Sequence, residues 1–428
     1  MTHQAQSFLD KHNLTAADFD LDALVESFIS DMEHGLKGNE SSLRMIPTFI
    51  EAENRFKTGE LVTAIDAGGT NFRAANVHFT DSGKLELSNL VKCKMPGLNG
   101  EVSKKEFFGT LAGYVKELVR ETHKIGFCFS YPTEIFPNKD GKLLEFSKEI
   151  QAPEVIGEKI GQNLLEALDM NDKTVVLLND TVATLLAGKS ASFEKDYDSY
   201  IGFILGTGTN TAYIERNENI SKNSDLEAGR SQIINIESGA FNKIPRTEID
   251  LKFDENTANP GQYSFEKMIS GGYFGGLATT ALRLAAEQGV FSSNSASNLQ
   301  SANRLSTEDV DRFLEVDDSD RGPLQHYLTD EADRAAALEI LHSLVTRAAI
   351  LVSANLAAVI LKTGKGKSPQ RPVMITVEGT AYYKLQGLKD QIEAVMNDYF
   401  SGKNRRYYEF TRVDQSSLVG GALAALID

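Results

Sequence analysis

The stretch Leu61-Val62-Thr63-Ala64-Ile65-Asp66-Ala67-Gly68-Gly69-Thr70-Asn71-Phe72-Arg73 reads as a buried strand that ends in an acid and runs into a turn almost free of side chains. Gly68 and Gly69 carry no Cβ to block a phosphate, and the backbone N–H groups, Thr70, Asn71 and Arg73 can all donate to an anion. Asp66 stands at the strand end, where its carboxylate can hold a hydrated metal ion. A tight hairpin that needs glycine for positive φ, with Phe72 to Phe79 as the return strand, would have the same shape. That alternative leaves the Asp, Thr, Asn and Arg without a reason.

A second turn of this kind lies at Ile201-Gly202-Phe203-Ile204-Leu205-Gly206-Thr207-Gly208-Thr209-Asn210, followed by strand residues Thr211 to Ile214. Two strand-turn-strand loops about one domain apart predict two halves facing a common polyphosphate. The glycine loops of dinucleotide and P-loop proteins open helices instead, and no G-x-x-x-x-G-K-[ST] run occurs.

A chain of 428 residues with 41% hydrophobic content can build two sizeable cores, so two lobes are expected. Its formal net charge of -16 argues against nucleic-acid or anionic-membrane partners, which need a basic surface, and leaves small molecules. Cys93 and Cys128 are the only cysteines, a count that fits a reducing compartment with both as small buried hydrophobes. The N-terminus shows no basic-then-apolar signal; Leu21, Leu24, Val25, Phe28, Ile29, Met32 and Leu36 predict an amphipathic helix, and a cytoplasmic location is expected. The apolar run from Leu344 to Leu361 is interrupted by Thr346, Arg347, Ser353 and Asn355, which predicts a core helix rather than a membrane span. No Cys/His pattern supports a transition-metal site.

Residues 61–93 predict three strands, 105–119 a helix, 124–129 a strand, 154–168 a helix and Thr174 to Leu178 a strand. The second lobe is expected to hold strands near 200–205, 211–214, 232–237 and 373–377, with long helices near 264–288 and 330–361. Ser292 to Asn303 reads as a surface loop and Lys362 to Arg371 as a solvated basic loop.

Asn179-Asp180-Thr181 follows the apolar run Val175 to Leu178, so Asp180 stands at a buried strand's end, where an α/β fold places an active-site acid. The competing reading is a helix N-cap. Residues able to grip a polyol occur at Ser130-Tyr131-Pro132, Ser147-Lys148, Asn210, Asn235 with Glu237, and Glu266.

At these residues the chain resembles the eukaryotic-type hexokinase and glucokinase family, in consistent order from about residue 60 to the C-terminus. The family's first phosphate motif is matched by Asp66 to Arg73, its sugar segment by Phe127 to Pro132 and Phe146-Ser147-Lys148, its catalytic motif by Leu178 to Thr181, and its second phosphate motif by Gly206 to Asn210. Asn235 to Phe241, Pro245-Arg246-Thr247, Pro260-Gly261-Gln262 and Phe265 to Met268 look like its remaining sugar contacts.

The resemblance implies an α/β protein of two-lobed actin-like ATPase (ribonuclease H-like) fold, hexokinase type. The large lobe would comprise residues 1–59 and 179–414 and the small lobe 60–178 and 415–428. It implies ATP-dependent phosphorylation of a hexose, glucose first, at the 6-hydroxyl, with Asp180 as general base and Lys148 beside it. Ser130, Ser147, Lys148, Asn179, Asp180, Asn210, Glu237 and Glu266 would surround the sugar. Asp66, Gly68, Gly69, Thr70, Asn71, Arg73, Gly206, Thr207, Gly208, Gly379, Thr380 and Ser417 would hold ATP, and Mg²⁺ would sit near Asp66 and Asp180 through water.

Three departures from the family stand out. Ser147 replaces its Thr, Glu378 replaces the Asp before Gly379-Thr380, and Glu308 to Asp320 is rich in acids near the expected nucleotide. Ser417 serves equally well as a helix cap. A sugar-binding regulator that kept the fold and lost turnover is the alternative from a different class, opposed by the intact Asp180, Lys148 and glycine turns. A bacterial repressor-related glucokinase is opposed by the missing zinc cluster.

Overall fold

The computed structural model describes residues 3–51, 57–81, 84–146, 150–191, 195–223, 226–315 and 322–427. Two sheets organise the chain. The smaller has five strands in the order Leu85–Lys94, Asn71–Phe79, Leu61–Ala67, Lys124–Phe129 and Thr174–Leu178. The larger has six, in the order Ile46–Glu51, Ser231–Asn235, Thr209–Arg216, Ser199–Leu205, Val373–Glu378 and Tyr408–Thr411. With the edge strand Ile46–Glu51 set aside, both follow one plan. A three-stranded antiparallel meander comes first, and two parallel strands then add beside its first member. The chain builds one α/β unit twice, and each unit places its glycine turn between its first two strands.

Leu61–Ala67 is buried along nearly its whole length because it lies mid-sheet with helices on both faces, which is why it reads as apolar except for Thr63 and Asp66. One face of the small sheet is covered by the helices Lys104–Arg120 and Ile160–Leu168. Between the sheets lie two more helices. Asp180–Ala191 packs on the large sheet, Ser416–Leu426 on the small one, and the two pack on each other. Their approach is backbone to backbone. A Cβ on Gly126 would lie 1.8 Å from the Gly421 carbonyl oxygen, one on Gly420 would lie 1.9 Å from that of Ala183, and one on Gly202 would lie 2.2 Å from that of Thr181. These glycines exist for space, since none of the three has positive φ.

The long helix Glu331–Thr363 runs through the core of the large lobe as its composition predicts, and its polar residues are used there. Arg347 bonds Asp250 at 2.9 Å, and Asn355 donates to Thr211 Oγ1 at 2.6 Å. Several expectations need correction. The helix expected over 264–288 is two, Ser264–Ile269 and Phe274–Glu287, parted at Gly271 and Gly272, whose amides donate to the carbonyls of Gly206 and Thr207 at 2.8 and 2.9 Å. The Ser/Asn-rich segment is the helix Ser293–Ser301, started by a Ser292 cap and pinned by buried Leu299. A short 3₁₀ turn, Pro153–Val155, precedes the helix Ile160–Leu168 where one longer helix was expected. Cys128 is buried, but Cys93 is partly exposed on the edge strand; neither is paired.

Candidate active site

The first glycine turn closes with Gly68 N–H donating to Asn71 O at 3.0 Å, and the second with Gly206 N–H donating to Gly208 O at 2.9 Å. Gly68, Gly69, Gly206 and Gly208 all lack positive φ, so the hairpin explanation of these glycines fails. Close approach accounts for Gly208, where a Cβ would meet Glu266 Oε2 at 2.6 Å. Both turns open onto one cleft, lined by Asp66, Gly68 to Asn71, Arg73, Ser130, Asp180, Thr207, Glu378 and Ser417. Thr70, Asn71 and Thr207 present exposed donors there.

Arg73 lies directly across the strand pair from Asp66, and its Nε and Nη2 reach Asp66 Oδ2 at 2.9 and 2.5 Å. The guanidinium thus holds the acid instead of standing free for a phosphate. Burial pushes the Asp66 carboxyl up, Arg73 opposes this, and the charge of Asp180 adds to the upward push. Burial likewise raises Glu378, Ser416 counters, and Asp180 and Asp66 add repulsion. Three acids therefore share one electrostatic environment.

The helix Asp180–Ala191 is capped by Asn179, whose Oδ1 accepts from Thr181 N at 2.8 Å. This removes the N-cap explanation of Asp180, whose carboxylate is left facing the cleft. Asn179 Oδ1 also accepts from Asn210 Nδ2 at 3.3 Å, Asn210 Nδ2 donates to Asn235 Oδ1 at 2.7 Å, and Asn235 Nδ2 donates to Glu237 Oε1 at 2.8 Å. This chain of amides runs from the acid's neighbour to Glu237, which sits in left-handed backbone at φ 59° just past the strand Ser231–Asn235. Burial raises the Glu237 carboxyl, and Asn235 pulls it back. Glu266, on the short helix Ser264–Ile269, accepts from the backbone of Thr209 at 2.9 Å.

Ser130 lies at the end of its strand, its amide donating to Ala67 O at 3.2 Å, and lines the cleft beside the first glycine turn. Gly379 packs behind the second turn: with φ 122°, a Cβ there would lie 2.2 Å from Leu205 O. Thr380 follows it, exposed. The helix Ser416–Leu426 has Gln415, not Ser417, at its cap position, so the capping explanation of Ser417 fails too; Ser417 is buried at the cleft. In the acidic segment, Asp309 caps its own helix with Ser306 at 2.7 Å and Asp311 accepts from Gln386 N at 2.8 Å. Both acids are occupied by the fold. Ser147 and Lys148 lie outside the described residues. Arg44, Glu145 and Tyr263 join one another and were given no role by sequence reading, although Glu145 adjoins Phe146-Ser147-Lys148 and Tyr263 lies between Gln262 and Phe265.

The fold defined by these two sheets and this cleft is shared with solved hexokinases. A glucose complex of hexokinase from Schistosoma mansoni superposes with a TM-score of 0.80 at 24% identity, covering 99% of this chain and 98% of that one. Two family models described as hexokinase match, over residues 4–190 and 200–427. Glucokinase-1 of Kluyveromyces lactis is 28% identical over 100% of this chain and 98% of its own. Hexokinase-1 of Schizosaccharomyces pombe is 28% identical over 95% and 87%. The chain belongs to the hexokinase family and is a sugar kinase of actin-like ATPase fold.

Proposed function

We propose that the protein transfers the terminal phosphoryl group of ATP to the 6-hydroxyl of a hexose, with glucose preferred, giving hexose 6-phosphate and ADP. The observation that carries this reading is the single cleft onto which both glycine turns and Asp180 open. Asp180 accepts the proton of the attacking hydroxyl as its oxygen bonds to phosphorus, and the bond from phosphorus to the bridging oxygen breaks, leaving ADP. Asn179, Asn210, Glu237 and Glu266, with Ser130, Ser147 and Lys148, hold the sugar so that the 6-hydroxyl faces Asp180. The turn amides and Thr70, Asn71 and Thr207 take the phosphates, with Gly379, Thr380 and Ser417 on the nucleotide side. Closure of the lobes removes water that would otherwise compete as acceptor. The names of the relatives, glucokinase among them, support a glucose-like substrate.

The acids suit Mg²⁺ as well. Asp66, Asp180 and Glu378 repel one another, which a cation would relieve. Among the described residues no three metal-ligating side chains gather closely enough to chelate a bare ion. Asp66 and Asp180 would therefore hold Mg²⁺ through water while ATP oxygens complete its shell. When bound, the ion neutralises phosphate charge. Two unpaired cysteines suit a cytoplasmic setting.

The test is ADP release from Mg-ATP with glucose, mannose, fructose, glucosamine and N-acetylmannosamine offered in turn. Turnover with glucose or a close epimer is expected. Sugar binding without turnover on any of them would overturn the assignment in favour of a regulator.

A further inference from the structure

One carboxylate ties two parts of the chain together beside Glu237. Glu145 follows the strand Gly141–Leu143 of a separate two-stranded sheet, which is joined to the end of the small sheet's strand Lys124–Phe129 through Leu144 N–H donating to Pro132 O at 2.9 Å. Its Oε1 accepts from Tyr263 Oη at 3.2 Å and from Arg44 Nη2 at 3.4 Å, both on the large-sheet side. The groups that grip it are themselves fixed. Lys222 Nζ donates to the carbonyls of Arg44 and Met45 at 2.8 and 2.6 Å. Met45 N–H donates to Ile236 O at 3.2 Å, which seats Arg44 beside Glu237. Tyr263 stands in left-handed backbone at φ 53°, a conformation unusual for a bulky residue, and makes no side-chain cap to the helix it opens. Its surroundings hold that strain, and the contact its side chain does make is to Glu145. The phenol, pushed up to about 12 by burial and by Glu145, is a donor at neutral pH. Glu237 feels both Arg44 and Glu145, so the trio adjoins the sugar-facing acid.

We infer that Glu145, gripped by Arg44 and Tyr263, is a latch that stabilises the closed form of the cleft beside Glu237. The inference rests on the sugar-kinase reading and adds to it a closure element built from residues to which the family motifs give no role. A sugar that binds the closed form better gains apparent affinity in proportion to the closed population, so removing the latch weakens sugar binding. The three are positioning residues, and their loss is expected in the sugar KM more than in kcat.

Glucose binding is measured by calorimetry without nucleotide for wild type, Tyr263→Phe, Glu145→Gln and the double variant. Each single change is expected to weaken binding by about three- to tenfold, and the double by less than the product of the two, because the two changes share the Tyr263–Glu145 contact. Glucose is uncharged, so salt acts here only through protein charges. Wild-type affinity should fall as NaCl rises, and that of Glu145→Gln should not. Small-angle scattering without sugar should show both variants expanded relative to wild type. Additive losses, unchanged affinity, a retained salt slope or identical scattering would each overturn the latch. Glucose binding by wild type without turnover would overturn the kinase assignment and leave the latch standing.

Discussion

The backbone amide of Thr209 donates to Glu266 Oε2 at 2.9 Å, so the second glycine turn and the helix that carries Glu266 are one assembly. The contact exists because Gly208 leaves room for that carboxylate. A Cβ at Gly208 displaces the tip of a flexible side chain, which the fold tolerates and the sugar site does not. Gly208→Ala is therefore expected to cost under about 1 kcal/mol in urea unfolding while raising the sugar KM by about tenfold or more. An unchanged sugar KM would detach Glu266 from sugar binding.

Asp180→Ala removes the proposed proton acceptor and leaves the Asn179 cap in place. Turnover should fall by about 10²- to 10⁴-fold while calorimetric sugar affinity stays within a few fold of wild type. A variant that turns over at the wild-type rate would take Asp180 out of the mechanism.

In the proposed role Glu237 would have to be ionised to accept from sugar hydroxyls, and burial holds its carboxyl above the ordinary 4.5. As pH falls through that raised value the carboxylate takes up a proton and sugar affinity drops. The acid limb of glucose binding should thus begin above the usual carboxylate range and vanish in Glu237→Gln, whose affinity is weaker throughout. Wild-type affinity that is flat down to the ordinary range would contradict this.

Lys222 has its ammonium lowered from 10.5 to about 8 by burial. The unfolded chain then holds more protons than the folded one between those two values, so this group's contribution to stability rises with pH across that window. Tyrosines such as Tyr263, raised to about 12, act oppositely above their ordinary 10 because the unfolded chain loses those protons first. Comparing urea midpoints of wild type and Lys222→Met from pH 8 to 10 isolates the lysine. The wild type should gain on the variant as pH rises, and a gap that narrows would refute the assignment.

Much of this was legible in the chain itself, for identifiable reasons. Asp66 and Asp180 stand at the ends of largely apolar strands, and a glycine turn between two strands is written locally. The reason for the glycines was not, because Gly208 answers to Glu266, far away in sequence. Ser293–Ser301 hid as a loop since Ser and Asn favour turns; its Ser292 cap and buried Leu299 override that preference. Glu145 was invisible because its partners Arg44 and Tyr263 meet it only through the tertiary fold.

The helices Asp180–Ala191 and Ser416–Leu426 approach where Gly420 faces the carbonyl of Ala183, and the second helix meets the strand Lys124–Phe129 where Gly421 faces Gly126. Apolar side chains such as Val182, Leu186, Val419 and Leu423 fill the space around these close approaches. The distance between the two sheets is thus set by the absence of side chains at a few points. Bulk introduced at Gly420 would push the sheets apart without touching the chemistry.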